Sequence, residues 1–317
     1  MGLQRFILKR LLLIPPILFG VSIVTFALVH LTPGDPVSQM VAMNPNVDAA
    51  QEADLRARYG LDEPLVVQYV DWMAGVLQGD FGEVYGSSQD AAGVLVARLP
   101  ETIALGLFGW VFALVIAIPT GIYAAVKKDQ LGDTVSRFLA LSGISIPNFW
   151  LGLMLILLFP LTLGGWPVLP PRESLASPAM LWYLVLPGIT VGTASAAAIM
   201  RVMRTSMAEE LNKEYVTAAR AKGLPERTII LKHVLRNSLI SVVTLAATLT
   251  AGIVAGSVVV EVVFSWPGLG REFVDAIHGR EINLIMAITL FIGLFIVIMN
   301  LVADVLYAML DPRIRYD

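Results

Sequence analysis

The sequence predicts an all-α integral membrane protein with six transmembrane helices and a small extracytoplasmic helical cap. Only 15% of the 317 residues are charged, 56% are hydrophobic and the mean hydropathy is +0.74, whereas a soluble domain carries roughly 25% charged residues. A helix needs about 20 apolar residues to cross a bilayer. Six windows without Asp, Glu, Lys or Arg are long enough: 11–34, 102–126, 138–171, 174–200, 237–260 and 282–303.

The distribution of Lys and Arg predicts which side of the membrane each loop faces. With six crossings, one side receives segments 1–10, 127–137, 201–236 and 304–317, which together hold 16 of the 22 Lys and Arg residues. Short loops rich in these residues stay in the cytoplasm. We therefore expect both termini and the basic segment 201–236 to be cytoplasmic.

Residues 1–35 are predicted to form an N-terminal transmembrane helix. Its apolar run, 10–31, is longer than the apolar part of a signal peptide, which has about 7–15 residues, so we expect a retained helix. The sequence TPGDP at 32–36 cannot continue a helix, because it contains two prolines and a glycine. We expect a sharp turn there.

Residues 36–100 are the longest polar region and are predicted to form the cap. From 35 to 101 the chain holds eleven acidic residues and three arginines. Two stretches, 52–59 and 66–77, have helical character, and in the second the apolar residues recur at helical spacing. A passive connecting loop is the alternative interpretation.

Residues 101–317 are predicted to form a five-helix transmembrane core. Pro119 predicts a kink in its first helix. The next window contains Ser145, Pro147 and Asn148, whose freed or polar groups lipid cannot satisfy. These residues predict a locally opened helix, which either lines a water-filled cavity or packs as a buried kink.

Small residues dominate one face of the fourth and fifth spans, and such faces allow close helix contacts in lipid. They are Gly188, Gly192 and 194–198 in the fourth span, and Ala246, Ala247, 251–252 and 255–257 in the fifth. The pair is typical of the moving core of a transporter, although a static bundle would use the same residues. Glu261, at the outer end of the fifth span, is costly there unless it meets water or a partner.

The basic segment between these two spans has a distinct pattern at 214–239. Residues 215–222 favour a helix, and Gly223 supplies a natural helix stop. Pro225 suits the first turn of a second helix, because the N–H that it lacks would be unpaired there. The pattern predicts a helix, a tight corner and a second helix, which either dock another protein or form a solvated basic loop.

This segment resembles the EAA loop of ABC-importer permeases, which inserts into a groove of the ATPase subunit. The resemblance rests on Thr217-Ala218-Ala219, on Gly223 and on His233-Val234-Leu235. Thr217 replaces the glutamate of the motif's name, and Arg236 stands where many members have proline. The resemblance assigns the coupling loop to 206–236. It implies ATPase contacts at Tyr215, Thr217, Ala218, Ala219, Lys222, Gly223, Leu224 and Pro225.

Other stretches resemble B-type permeases of the dipeptide, oligopeptide and nickel uptake group. They are RFILKRLLLIPP at 5–16, YGLDEPLVVQYVDWMAGVLQGDFG at 59–82, SIPNFW at 145–150 and VVEVVFSWPGLG at 259–270. The resemblance implies the type I ABC importer permease fold in the cytoplasmic (inner) membrane. The chain would then form half of a translocation pathway for di- or oligopeptides. Ser145, Pro147, Asn148 and Glu261 are the predicted pathway-lining residues.

The same resemblance implies several partners. They are a second, C-type permease, cytoplasmic ATPase subunits, an extracytoplasmic peptide-binding protein and the lipid bilayer. The chain has no GxxxxGK[ST] phosphate loop, no HExxH motif and no cysteine. We therefore expect no enzyme activity, no cofactor in this chain, ATP and Mg²⁺ on the partner ATPases, and no nucleic acid. A secondary transporter or channel subunit is the alternative function.

Overall fold

A computed structural model of the protein describes residues 3–43, 48–85, 87, 89–167 and 179–310. Within these ranges the chain is helical, and its only β-type pairing is the isolated bridge between Glu83 and Asp90. The predicted all-α class is therefore confirmed. The helices are α1 (Leu3–Leu31), α2 (Pro36–Met43), α3 (Ala49–Arg58), α4 (Leu65–Val76), α5 (Ala91–Val126), α6 (Leu131–Ser145), α7 (Asn148–Ile156), α8 (Ala179–Leu211), α9 (Glu214–Ala221), α10 (Glu226–Thr228), α11 (Leu235–Val263), α12 (Leu269–Gly279) and α13 (Ile282–Leu310).

Two of these helices continue into wider, π-type turns. The π-type segment Leu157–Leu163 follows α7, and Ile229–Val234 joins α10 to α11. The helix that begins at Glu226 therefore runs on to Val263. Such turns accommodate one extra residue per turn without ending the helix.

Five helical segments are long and apolar enough to cross a membrane, and α6 and α7 form a further, bent pair. The five are Ile7–Ala42, Ala91–Val126, Met180–Leu211, Glu226–Thr250 and Ile282–Val305. The axes of α6 and α7 meet at 104° beside Pro147. Each predicted window overlaps one of these six units, although residues 168–178 lie outside the described residues. The third span was expected to open locally, and in the structure it breaks into two helices.

The membrane helices extend well beyond their charge-free windows. Helix α5 begins eleven residues earlier than predicted, with Asp90 as its N-cap, and carries Arg98 and Glu101 in its first turns. The Arg98 side chain lies 3.0 Å from Glu272 on α12, outside the apolar stretch. A charge-free window therefore marks the part of a helix that suits lipid, whereas the helix itself continues into water.

Helices α5 and α8 lie in unusually close contact, as the small residues of the fourth span predict. A Cβ added to Gly192 would lie 2.3 Å from the carbonyl oxygen of Gly109, and one added to Gly188 would lie 2.1 Å from Phe108 Cδ1. The Nε1–H of Trp110 on α5 donates a 3.1 Å hydrogen bond to Thr250 on α11. These three helices form the centre of the bundle.

The polar region 36–100 contains both predicted helices, as α3 and α4, and a third helix, α2, that was not predicted. Helix α3 begins with a capping box formed by Asp48 and Gln51. The backbone N–H of Tyr85 donates to Glu281 at 2.7 Å, which ties the region to the start of α13. We call this end of the bundle the cap end, and the end that carries the coupling loop the basic end.

Replacing Gly192 with alanine should destabilise the protein by about 1–3 kcal/mol, because the new methyl group overpacks the contact with α5. Gly20→Ala is the matched control, since a Cβ there has no heavy atom within 4 Å. The measurement is the midpoint of thermal unfolding of both variants in detergent. Equal midpoints would contradict the close α5–α8 packing.

Candidate functional site

The coupling loop has the predicted sequence of helix, corner and helix. Helix α9 is followed by Gly223, whose φ of +77° is the left-handed conformation that ends many helices. Pro225 then serves as the N-cap of α10 with a φ of −61°, one position before the first helical turn in which it was expected. Proline suits this position as well. It has no backbone N–H, and the N-cap residue does not need its own N–H for the hydrogen bonds of the helix.

One side of α9 is anchored in the hydrophobic core at the basic end. Val216 is fully buried with Met203 and Met207 of α8 and with Ile229 and Val234, which precede α11. Burial of a valine side chain stabilises this contact by about 1.5–3 kcal/mol. The anchor attaches α9 to the ends of two membrane helices.

A polar cluster formed by Tyr215, Glu210 and Asn237 adds a second attachment. The Tyr215 hydroxyl donates to Glu210 Oε2 at 2.8 Å, and the Asn237 amide donates to the Tyr215 hydroxyl at 3.3 Å. Burial raises the pKa of Tyr215, and its bond to Glu210 raises it further, so the hydroxyl keeps its proton at neutral pH. Tyr215 and Asn237, 22 residues apart in the sequence, therefore meet in space and join α8, α9 and α11.

An ion pair crosses the corner itself. The guanidinium of Arg220 on α9 donates to both carboxylate oxygens of Glu226 on α10, at 3.1 and 2.6 Å. Both side chains are about half exposed, and exposed pairs contribute only about 0–1 kcal/mol. The pair therefore orients α9 relative to α10 but adds little to the free energy of unfolding.

The opposite side of α9 faces solvent and combines small residues with a few charged ones. The exposed residues of α9 are Glu214, Thr217, Ala218, Arg220 and Ala221, and Lys222, Gly223, Leu224 and Pro225 of the corner are exposed as well. Ala219, one of the predicted ATPase contacts, is half-buried against the core, whereas Ala218 is exposed. Helical spacing explains the difference, because residues 215, 216 and 219 share one face.

Gly223 has open space around it. A Cβ built there meets no heavy atom of the chain within 4 Å. Within this chain, an alanine would therefore cost only the strain of a positive φ, about 1 kcal/mol. Any further effect of that substitution would have to come from another molecule.

Three of the four predicted pathway-lining residues lie together at the break between α6 and α7. Ser145 ends α6, Pro147 is the N-cap of α7, and Asn148 is its first residue. Ser145 and Pro147 are exposed and Asn148 is half-buried. Their exposure is compatible with a pathway surface, and their role in lining it stays a prediction.

The fourth predicted residue, Glu261, has a different setting, because it is fully buried. Its carboxylate accepts hydrogen bonds from the hydroxyl of Thr102 at 3.0 Å and from the backbone N–H groups of Gly270 at 2.7 Å and Arg271 at 3.1 Å. Glu261 thus has the hydrogen-bonding partners that a buried acid requires, and these partners belong to the same chain. In this conformation Glu261 holds the turn 264–270 and the start of α12 on α5, and it faces no open pathway.

A buried ion pair at the basic end could not be read from the sequence. Asp133 on α6 is fully buried and accepts from the Arg204 guanidinium on α8, with a 2.7 Å bond to Oδ2. The backbone N–H of Asp129 donates to the same oxygen at 3.0 Å. In the sequence both residues look like ordinary loop charges, because their 71-residue separation gives no local signal.

Among the described residues no cluster of His, Cys, Asp or Glu could hold a metal ion.

The fold and the anchored, outward-facing α9 define a multi-pass membrane transport subunit. A family model described as "Binding-protein-dependent transport system inner membrane component" matches residues 117–316, and the N-terminal model of the same system matches residues 3–106. The chain belongs to this family of inner-membrane transport components.

Similar proteins cover almost the whole chain. The oligopeptide transport system permease protein AppB of Bacillus subtilis is 38% identical over 99% of this chain and 100% of its own length. The dipeptide transport system permease protein DppB of Escherichia coli K12 is 35% identical, and the glutathione transport system permease protein GsiC of the same strain is 39% identical; each match covers 98% of this chain and 99% of the relative.

A solved structure also has a similar fold. A chain of the MetNI methionine ABC transporter, in an inward-facing conformation, matches with a TM-score of 0.52 and 17% identity over 69% of this chain and 96% of that chain. At this identity the match concerns the fold alone. It confirms the predicted type I importer permease fold.

Tyr215→Phe should loosen α9, because it removes the hydroxyl that links Glu210 and Asn237. A hydrogen bond of this kind contributes about 0.5–1.5 kcal/mol, so the amides of 214–222 should exchange with deuterium faster. Arg220→Ala, which removes only the exposed ion pair, is the control. A Tyr215→Phe variant with unchanged exchange would mean that Val216 alone holds the helix.

Glu261→Ala should destabilise the cap end strongly. It removes the acceptor of four hydrogen bonds, from Thr102, Ser257, Gly270 and Arg271, and each buried group left without a partner costs about 1–3 kcal/mol. Glu272→Ala, which removes only the partly exposed ion pair with Arg98, should cost much less. Limited proteolysis within 264–270 and the unfolding midpoint measure the effect; similar values for both variants would remove the structural role of Glu261.

Proposed function

We propose that this chain is the B-type permease subunit of an ABC importer and forms half of a translocation pathway for di- or oligopeptides. The observation that carries this proposal is the anchored helix α9, which presents a face of small residues away from the bundle. The family supports transport that depends on a binding protein. The cargo class is supported by the names of AppB, DppB and GsiC, which specify an oligopeptide, a dipeptide and the tripeptide glutathione.

In this proposal the exposed face of α9 docks into a cytoplasmic ATPase subunit, which binds ATP and Mg²⁺. Ala218 and Ala221 let the partner backbone approach closely, and Lys222 contributes a positive charge beside them. The orientation follows from the excess of Lys and Arg at the basic end, which favours the cytoplasm. The cap end then faces the peptide-binding protein, and a second, C-type permease completes the pathway.

The contacts of α9 suggest how force would pass from the ATPase to the membrane. When the partner moves α9, Val216 and the Tyr215–Glu210–Asn237 cluster carry that movement into α8 and α11 at the same time. Helix α8 is in turn joined to α6 by the ion pair of Asp133 and Arg204. The ATPase would thus move several membrane helices as one body. A secondary transporter or channel would not require a rigid docking helix of this kind.

The docking role is tested with Ala218→Glu and Ala221→Glu in the co-expressed transporter. Both side chains are exposed, so the variants should insert and fold normally while an unpaired charge enters the interface, at a cost of several kcal/mol. We expect loss of the co-purified ATPase and of peptide uptake. Ala53→Glu, at an exposed alanine of the cap, is the matched control and should behave as the wild type.

Gly223→Asn provides an independent arm of this test. Asparagine tolerates the left-handed conformation better than most residues, so loss of the ATPase in this variant would report the volume of the new side chain. Full ATPase association in Ala218→Glu, Ala221→Glu and Gly223→Asn would contradict docking at α9. Normal docking with uptake of a different solute class would contradict only the peptide cargo.

A further inference from the structure

Helix α4 of the cap region exposes a continuous apolar face. Val66 is 74% exposed, Val70 55% and Leu77 82%, and Val67 and Ala74 on the same side are exposed as well. These five side chains are all apolar, and the exposed Asp71 borders the stripe beside Val67 and Ala74. Soluble surfaces rarely keep such a patch in contact with water, so this face requires a partner.

The contacts on another side of α4 place it beside the apolar part of α1. The Tyr69 hydroxyl lies 2.7 Å from Ser22 Oγ, and the Tyr69 ring packs edge-on against Phe26 with 5.3 Å between ring centroids. Ser22 precedes the end of α1 at Leu31 by nine residues, which is about 13 Å at 1.5 Å per residue. The Tyr69 side chain therefore reaches the depth of the hydrocarbon layer.

The polar residues Gln68 and Asp71 of α4 lie on the side of the helix that borders a cavity. Asp71 lines a cavity of about 420 Å³ together with Glu63, Arg58 and Tyr59. Gln68, on the same wall, lies with its Oε1 3.3 Å from Nε2 of His30. Helix α4 thus has a polar side that borders this cavity and an apolar side that faces away from it.

An apolar groove of about 690 Å³ lies next to α4, between α1 and α13. Phe19, Met73, Phe81 and Leu294 contribute to its walls. The α1 side of the groove continues into the exposed apolar surface of the first span, which includes Phe19 at 52% exposure. A surface that is continuous with a membrane span and equally apolar fits lipid.

We propose that α4 is inserted into the leaflet at the cap end, with its exposed stripe and the adjoining groove in contact with phospholipid acyl chains. Further along α4, Met73 and Leu77 line the groove together with Pro15 and Pro16 of α1, so α4 runs along the first span and lies deeper than the roughly 5–10 Å to which a helix in the interface plane buries its apolar face. This placement changes the expectation for the cap: α4 borders the membrane and does not cover the outer mouth from the aqueous side. The inference depends on the membrane location of the chain, and it holds whatever the cargo is.

Single cysteines test this directly, because the chain contains none. Val66→Cys, Val70→Cys and Leu77→Cys are introduced into the full transporter, whose other subunits are made cysteine-free, in liposomes. Asp71→Cys, on the cavity side of the same helix, is the matched control. Each variant is treated with a charged maleimide, and a second sample is labelled with bimane in detergent before reconstitution with brominated phosphatidylcholine.

The stripe variants should react with maleimide about tenfold more slowly than Asp71→Cys, because the reactive thiolate is disfavoured in hydrocarbon and one pKa unit changes its fraction tenfold. Bimane on the stripe should be quenched by the brominated lipid, and bimane at position 71 by aqueous iodide. Equal maleimide rates would place the stripe in water and overturn the inference. Slow reaction without lipid quenching would assign the stripe to a protein partner and overturn it as well.

Discussion

The backbone contact between α5 and α8 is the interaction on which the rest of the bundle depends. Gly192 lies directly against the backbone carbonyl of Gly109, and Gly188 leaves the space that the Phe108 ring occupies. In lipid no hydrophobic force drives helices together, so close packing of small residues has to supply the attraction. Helices α6, α7 and α11 all pack on α8. Helix α9 follows directly from the end of α8.

Buried charged groups occur near the two ends of this bundle, and each holds a turn in place. At the basic end, Asp133 and Arg204 join the start of α6 to α8. At the cap end, the Glu261 carboxylate accepts the N–H groups that open α12. Placement near the ends is physically sensible, because a charged group costs most at the centre of the bilayer.

The coupling loop and the cap show two ways to attach a short helix to a membrane bundle. Helix α9 buries Val216 in the core and leaves Ala218 exposed, whereas α4 contacts α1 through Tyr69 and leaves Val70 exposed. In the proposed assembly the exposed side of α9 receives a protein partner and that of α4 contacts lipid.

The sequence by itself determined the apolar spans, the helices α3, α4 and α9, the corner at Gly223 and the family, because these depend on local composition and on residues close together in the chain. Only the tertiary structure decided which way a given side chain points. Ala219 and Ala218 are equivalent in the sequence, yet one packs inward and the other outward. Glu261 finds its partners on α5 and α12, and Asp133 finds Arg204, through contacts that no local pattern encodes. The 104° bend at Pro147 and the position of α4 beside α1 likewise follow from packing between distant segments, since the free energy of those contacts exists only once the helices have assembled.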